Sequence, residues 1–107
     1  MGNFPVVVRD GTANVWAWGT NAYGDQGDGT HTAPRLAPTA ITNLAGFTQL
    51  SEQGGHVGVG LKKDGTVVAW GINNYGQLGH SPGTSPDIAD CGGSIPCNPA
   101  PAPVTMP

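Results

Sequence analysis

Val15-Trp16-Ala17-Trp18-Gly19-Thr20-Asn21-Ala22-Tyr23-Gly24-Asp25-Gln26-Gly27 is written again as Val67-Val68-Ala69-Trp70-Gly71-Ile72-Asn73-Asn74-Tyr75-Gly76-Gln77-Leu78-Gly79, 52 residues downstream. Eight of the thirteen positions are identical and no gap is needed. A self-similar period of about 50 residues marks a repeat architecture, in which each supersecondary unit buries its apolar face against a neighbour. A chain of 107 residues holds only about two such units, and repeat folds ordinarily need three or more.

Outward from the repeated phrase the chain reads as short strands. Phe4 to Arg9 is apolar and β-branched, Asp10-Gly11 is a hairpin turn signal, and Val15 to Trp18 returns. In the second copy Val57, Val59 and Leu61 alternate with Gly58, Gly60 and Lys62, a period of two. Asp64-Gly65 then turns and Thr66 to Trp70 returns. The Asp-Gly pairs are 54 rather than 52 apart, which predicts two extra residues in the first turn, at Thr12-Ala13-Asn14. Each returning strand leads into a Gly-x-Asn-x-Tyr-Gly loop. Its glycines accept positive φ and its Asn can bond nearby backbone. Between the copies, Ile41, Leu44, Phe47 and Leu50 recur every third residue, but Pro34, Pro38 and Gly46 disfavour a helix. The expectation there is a turn-like stretch and a strand around Phe47 to Ser51. Residues 81–107 hold seven prolines and no aromatic residue, and read as a loop or tail. Val104-Thr105-Met106 would open a further unit.

Composition bounds the function. Eighteen Gly and ten Pro, with only 10% charged residues, would suit low complexity, but the repetition and clustered aromatics argue for order over residues 1–80. Net charge is −3 and the permanent cations are Arg9, Arg35, Lys62 and Lys63. That is too few to track phosphates, so no nucleic-acid partner is expected. No apolar run approaches the ~20 residues of a membrane-spanning helix. The first residues lack the basic and apolar regions of a signal peptide, and Val6 stands where a myristoylation pattern needs Ser or Thr. Cys91 and Cys97 close the short segment Cys-Gly-Gly-Ser-Ile-Pro-Cys. A disulfide is expected there, with free thiols as the alternative; a bond would imply an oxidising compartment and favour an extracellular or cell-surface site.

Asp64-Gly65-Thr66-Val67-Val68-Ala69-Trp70-Gly71-Ile72-Asn73-Asn74-Tyr75-Gly76-Gln77-Leu78-Gly79 resembles the repeat of the regulator of chromosome condensation family. Val15 to Gly27 matches less fully, with Asp25-Gln26 where Gln-Leu is the pattern, and the resemblance covers about residues 4–80. It implies an all-β fold of four-stranded antiparallel propeller blades, commonly about seven in a complete ring. Two repeats are expected over residues 1–80, a partial one at about 4–34 and a complete one at 35–80. Residues 81–107 would form a Pro/Gly-rich loop with the two cysteines. Two blades cannot close a ring, so the chain is expected to be a piece of a longer repeat protein, with self-association through open blade faces as the alternative. Two departures stand out. His56 sits one position before the place of the family's histidine, and the loop after Gly79 is longer than usual.

Residues with chemistry are sparse. Asp10 and Asp64 are turn residues. Asp25 and Asp28, in a tight loop, raise the thought of calcium, but the spacing is not that of an EF-hand. Glu52 beside His56 allows an acid/base pair, but a surface strand end is the favoured reading. His31, His56 and His80 fall on unrelated parts of the repeat. No Gly-Lys-Ser/Thr tripeptide supports a phosphate loop. No catalytic, metal or cofactor site is expected. The motif residues Trp18, Gly19, Asn21, Tyr23, Gly24 and Gly27, with Asp64, Gly65, Trp70, Gly71, Asn73, Tyr75, Gly76, Gln77, Leu78 and Gly79, are assigned to blade structure. Trp18 and Trp70 are assigned to packing between blades. Trp16 is placed on the opposite side of its strand from Trp18, as the aromatic left to touch a partner.

The function these readings favour is a noncatalytic protein-binding or scaffold module, whose inter-strand loops meet a partner protein. The resemblance also implies two alternatives: guanine-nucleotide exchange on a small GTPase, and a secreted propeller that inhibits an enzyme.

Overall fold

The structure, a computed structural model, describes residues 5–12, 14–21, 23–31, 34–41, 46–53, 56–88, 90–91 and 93–104. It is all-β, with no helix among the described residues. The strands are β1 (Pro5–Arg9), β2 (Val15–Gly19), β3 (Arg35–Ala40), β4 (Phe47–Gln53), β5 (Val57–Lys62), β6 (Val67–Ile72) and β7 (Cys97–Pro103). They form two antiparallel meanders, a three-stranded sheet β1-β2-β3 and a four-stranded sheet β4-β5-β6-β7. The sheets are propeller blades: β1-β2-β3 repeats β5-β6-β7.

The register corrects the expected insertion. Val6 faces Trp18 and Arg9 faces Val15, while Gly58 faces Trp70 and Leu61 faces Val67. The 52-residue offset therefore runs unbroken through both hairpins. Asp10 N donates to Asn14 O at 2.8 Å, and Lys62 N to Thr66 O at 2.9 Å. The turns are equally long, and Asp-Gly occupies different positions within them.

The expected boundaries also move. Arg35–Ala40, on the second-repeat side of the boundary expected at 34/35, pairs with β2 and completes the first sheet. Cys97–Pro103, read as loop or tail, is the outer strand of the second sheet beside β6. Proline hid both strands. Edge strands tolerate it, because a residue whose N–H points away from the sheet gives up no ladder bond. In β7 the prolines at 99, 101 and 103 alternate, so all three nitrogens point the same way. Pro99 O duly accepts from Gly29 N, outside the sheet, while Val104 N, of the other parity, donates back to Val67 O.

The core lies between the blades. Val15, Ala17 and Ile41 from the first meet Phe47, Val68 and Trp70 from the second, with Val7 and Leu50 at the margin. Trp70 is completely buried, and the Phe47 ring meets it edge-on at 6.5 Å. Gly58 and Gly60 make room for these rings. A Cβ on Gly58 would fall 2.1 Å from Trp70, and one on Gly60 2.1 Å from Phe47.

Trp16 and Trp18 are not on opposite sides of β2. Residues two apart on a strand share a face. Val15 and Ala17 take the core side, leaving Trp16 and Trp18 together on the outer side, both partly exposed. Opposite them stand Val8 and Val6, where the second blade has Gly60 and Gly58. Trp18 therefore has no bare backbone to lie on, unlike Trp70.

Candidate functional site

Two equivalent loops crown one rim of the blades: residues 20–34 between β2 and β3, and 73–96 between β6 and β7. Both open on the repeated asparagine. Asn21 Oδ1 accepts from Gln26 N at 3.1 Å, and Asn73 Oδ1 from Leu78 N at 3.0 Å. Both amides are buried, so each motif Asn satisfies loop backbone that would otherwise be orphaned. Tight turns follow, closed by Gly27 N to Gly24 O and Gly79 N to Gly76 O. Gly24 is required twice over. Its φ is 76°, and a Cβ would fall 2.3 Å from Pro99 of the neighbouring blade.

Beyond the asparagines the loops diverge. In the first, Asn21 Nδ2 donates to Thr30 Oγ1 at 2.8 Å, and Asp28 gathers Thr30 and Arg35. Burial works to raise the Asp28 carboxyl, but Arg35 and Thr30 outweigh it and leave it below the ordinary value. In the longer second loop the hub is Asp87, whose side chain is fully buried. It accepts from Asn73 Nδ2 at 2.7 Å and Gly83 N at 3.0 Å, and bonds His80 Nε2 at 2.6 Å. Cys91 and Cys97 are joined by a disulfide, and Ile88 pairs in both directions with Cys97. Residues 81–86 are all exposed on this pinned frame.

The seam between the blades gathers on Asp25. Its carbonyl accepts the Trp70 indole N–H at 3.0 Å, and its Oδ2 lies 3.0 Å from His56 Nδ1. Tyr23 meets the His56 ring edge-on at 5.1 Å. Asp25 is buried and its Oδ1 has no partner. Burial therefore pushes its carboxyl up, while His56 works against that. Far from the seam, the Trp16 indole donates to Asp10 Oδ2 at 2.9 Å. That bond, with those from Thr12, pulls the Asp10 carboxyl down to about 2.

The sequence-stretch motifs thus come together as two rim loops and one seam. The three histidines do not converge: His56 bonds Asp25 and His80 bonds Asp87. Among the described residues no three metal-ligating side chains gather. The Glu52 side chain, named with His56 as an acid/base pair, lies outside the described residues. Tyr23 is partly covered, while Tyr75, its counterpart, is 87% exposed. Three contacts escaped sequence reading: His56 with Asp25, Trp70 with Asp25, and the Asp87 hub. The first two cross from one repeat to the next, so no spacing within a repeat reveals them.

Comparison with known proteins fits this geometry. Residues 54–77 match the family described as "Regulator of chromosome condensation (RCC1) repeat". Human Alsin is 40% identical over 78 residues, 70% of this chain and 5% of Alsin. The human "Probable E3 ubiquitin-protein ligase HERC4" is 38% identical over 69 residues, 63% of this chain and 6% of that protein. The chain therefore spans about a twentieth of the length of these relatives. Among solved structures, Prp20p from Saccharomyces cerevisiae, reported with its binding properties to Gsp1p and histones, superposes with a TM-score of 0.71. It is 22% identical, over 99% of this chain and 23% of Prp20p. Yeast RCC1 (Prp20) with Kap60 bound gives the same TM-score at 24% identity. With these matches, tandem Trp-Gly-x-Asn loops on one three-stranded and one four-stranded antiparallel meander, packed together on Trp70, identify the chain as carrying regulator of chromosome condensation repeats.

Proposed function

We propose that the chain is a noncatalytic protein-binding module of a larger propeller, and that it meets its partner through the rim loops 20–34 and 73–96. The observation that carries this reading is the second loop. It is longer than its counterpart, exposed along 81–86, and held rigid by Asp87 and the Cys91–Cys97 bond. A pre-ordered loop gives up little conformational entropy on binding. Both aspartate-bonded histidines are engaged in structure, His56 in the seam and His80 in the loop, which favours binding over catalysis. The disulfide supports an oxidising compartment. The test is cross-linking in the native source, comparing the natural chain with one whose residues 81–95 are replaced by a short turn. The reading requires that the turn variant lose the partner while its blades stay folded. Retention of the partner by that variant would overturn it.

A second reading, guanine-nucleotide exchange on a small GTPase, draws support from Prp20p, whose reported properties include binding to Gsp1p. Release of a fluorescent nucleotide from candidate GTPases, accelerated by this chain, would favour it over passive binding.

A further inference from the structure

The seam between the blades is built around one carboxyl whose surroundings suit a neutral acid better than an anion. Asp25 is 0% exposed, and its Oδ1 has no hydrogen-bond partner. A buried charge is tolerated only when its oxygens are satisfied, and half of this carboxylate is not. Protonation removes the charge and leaves a carbonyl oxygen, which costs less to keep bare. Among the described residues, little steadies an anion here. His56 Nδ1 lies 3.0 Å from Oδ2, on a side chain that is 26% exposed. Tyr23 meets that ring edge-on, and the Trp70 indole donates to the Asp25 carbonyl instead of its carboxyl. Asp28, in the same loop, is engaged by Arg35 and Thr30. Pro99 of β7 covers Gly24 and brings no charge. In the second loop His80 and Asp87 bond each other, and the Glu52 side chain lies outside the described residues. The other blade fixes His56 in place. Its φ is 68°, uncommon for a residue with a side chain, and Ile72 N donates to its carbonyl at 2.9 Å. The second repeat has Gln77 where the first has Asp25, so the titratable group belongs to this seam and not to the repeat in general.

We propose that Asp25 and His56 form an acid-closed latch between the blades, which takes up a proton at Asp25 as the blades stack and gives it up as they part. In the closed latch Asp25 Oδ2–H donates to Nδ1 of a neutral His56 ring. Burial raises this carboxyl above its ordinary value, against the pull of His56. The folded chain therefore holds the proton at a pH where the unfolded chain, at 3.8, has lost it. Acid strengthens the seam from that raised value down to 3.8, and rising pH loosens it. Loops 20–34 and 73–96 stand on different blades. On the reading that both meet a partner, the latch also sets how one loop faces the other.

Urea denaturation of the full chain from about pH 4 to about pH 9, compared with Asp25→Asn, tests the latch without reference to any partner. Asparagine has the shape of the neutral acid and does not titrate. The difference between the two chains isolates Asp25, because the other carboxyls and the histidines titrate in both. Relative to Asp25→Asn, the unfolding constant of the natural chain is expected to rise by up to about tenfold per pH unit between 3.8 and the raised value, then to level off. Carbon-detected NMR of the folded natural chain should place the Asp25 carboxyl midpoint above 3.8. In His56→Asn, a change that tolerates the positive φ, that midpoint should move higher still, because His56 works to lower it. Should Asp25→Asn fail to fold, Asp25→Gln, which copies Gln77, replaces it, and the carboxyl titration of the natural chain decides by itself. Parallel pH profiles for the natural chain and its Asp25 variant overturn the proposal. So does a folded-state midpoint at or below 3.8, or one that stays put in His56→Asn.

Discussion

Trp18 and Trp70 hold the same place in the repeat, yet the structure gives them unequal duties, and truncation should expose the difference. Trp70 has no exposed surface, and its indole donates to Asp25 O. Truncating a buried Trp costs about 3–5 kcal/mol. Orphaning the buried carbonyl adds about 1–3 kcal/mol. The sum, about 4–8 kcal/mol, rivals the whole stability of a domain this size, about 5–15 kcal/mol. Trp70→Ala should therefore be mostly unfolded or nearly so. Trp18 is partly exposed over Val6, and its truncation orphans no known buried carbonyl, so Trp18→Ala should cost less, about 2–3 kcal/mol. Trp70→Phe keeps most of the packing and isolates the lost donor, at about 1–3 kcal/mol. Urea denaturation followed by far-UV circular dichroism, at concentrations where the chain is monomeric, measures all three. A Trp18→Ala loss equal to or larger than that of Trp70→Ala would refute the reasoning.

Gly58→Ala places a methyl 2.1 Å from the Trp70 ring, so it should lower stability by about 1–3 kcal/mol through overpacking, read as a fall in the urea midpoint. The two perturbed aspartates should act oppositely with pH, and carbon-detected NMR titration resolves them. Asp10, held down to about 2, contributes stability that is complete above the unfolded value of 3.8 and is lost as pH falls toward 2. Asp25, raised by burial, opposes folding at neutral pH, and that opposition fades as pH falls through its raised value toward 3.8. Trp16→Phe removes the largest cause of the Asp10 shift and should return that carboxyl toward 3.8. Replacing both cysteines with serine opens a loop with a sequence separation of 6; the chain-entropy relation gives a loss of about 2 kcal/mol, to be checked by thermal melting with mass spectrometry verifying the bond in the natural chain.

What the sequence reveals is what recurs within it. The Trp-Gly-x-Asn phrase, twice at one spacing, is enough for sheets, loops and repeat family, and the alternation of Val57, Val59 and Leu61 places β5. The outer strands escape because Arg35–Ala40 and Cys97–Pro103 carry prolines, which look like breakers until an edge position makes their missing N–H groups harmless. The hairpin lengths mislead because Asp-Gly marks a turn without fixing its place in the turn. The side of Trp16 follows from strand periodicity alone, and the structure restores it to the face of Trp18. The seam at Asp25 is invisible for another reason. His56 and Trp70 reach it from 31 and 45 residues away, across a repeat boundary, and only the stacking of one blade on the next brings them together. Asp87 is similar on a smaller scale: its partners Asn73, His80 and Gly83 meet only once the loop has folded.

Hydrogen exchange at the indole nitrogens, read from proton–nitrogen NMR spectra of the monomeric chain, tests the stacking of the blades most directly. The Trp70 indole proton, buried on Asp25 O, should exchange slowly and only through global unfolding, while that of Trp18 exchanges quickly. Equal, fast exchange at both would mean that the second blade does not rest on the first.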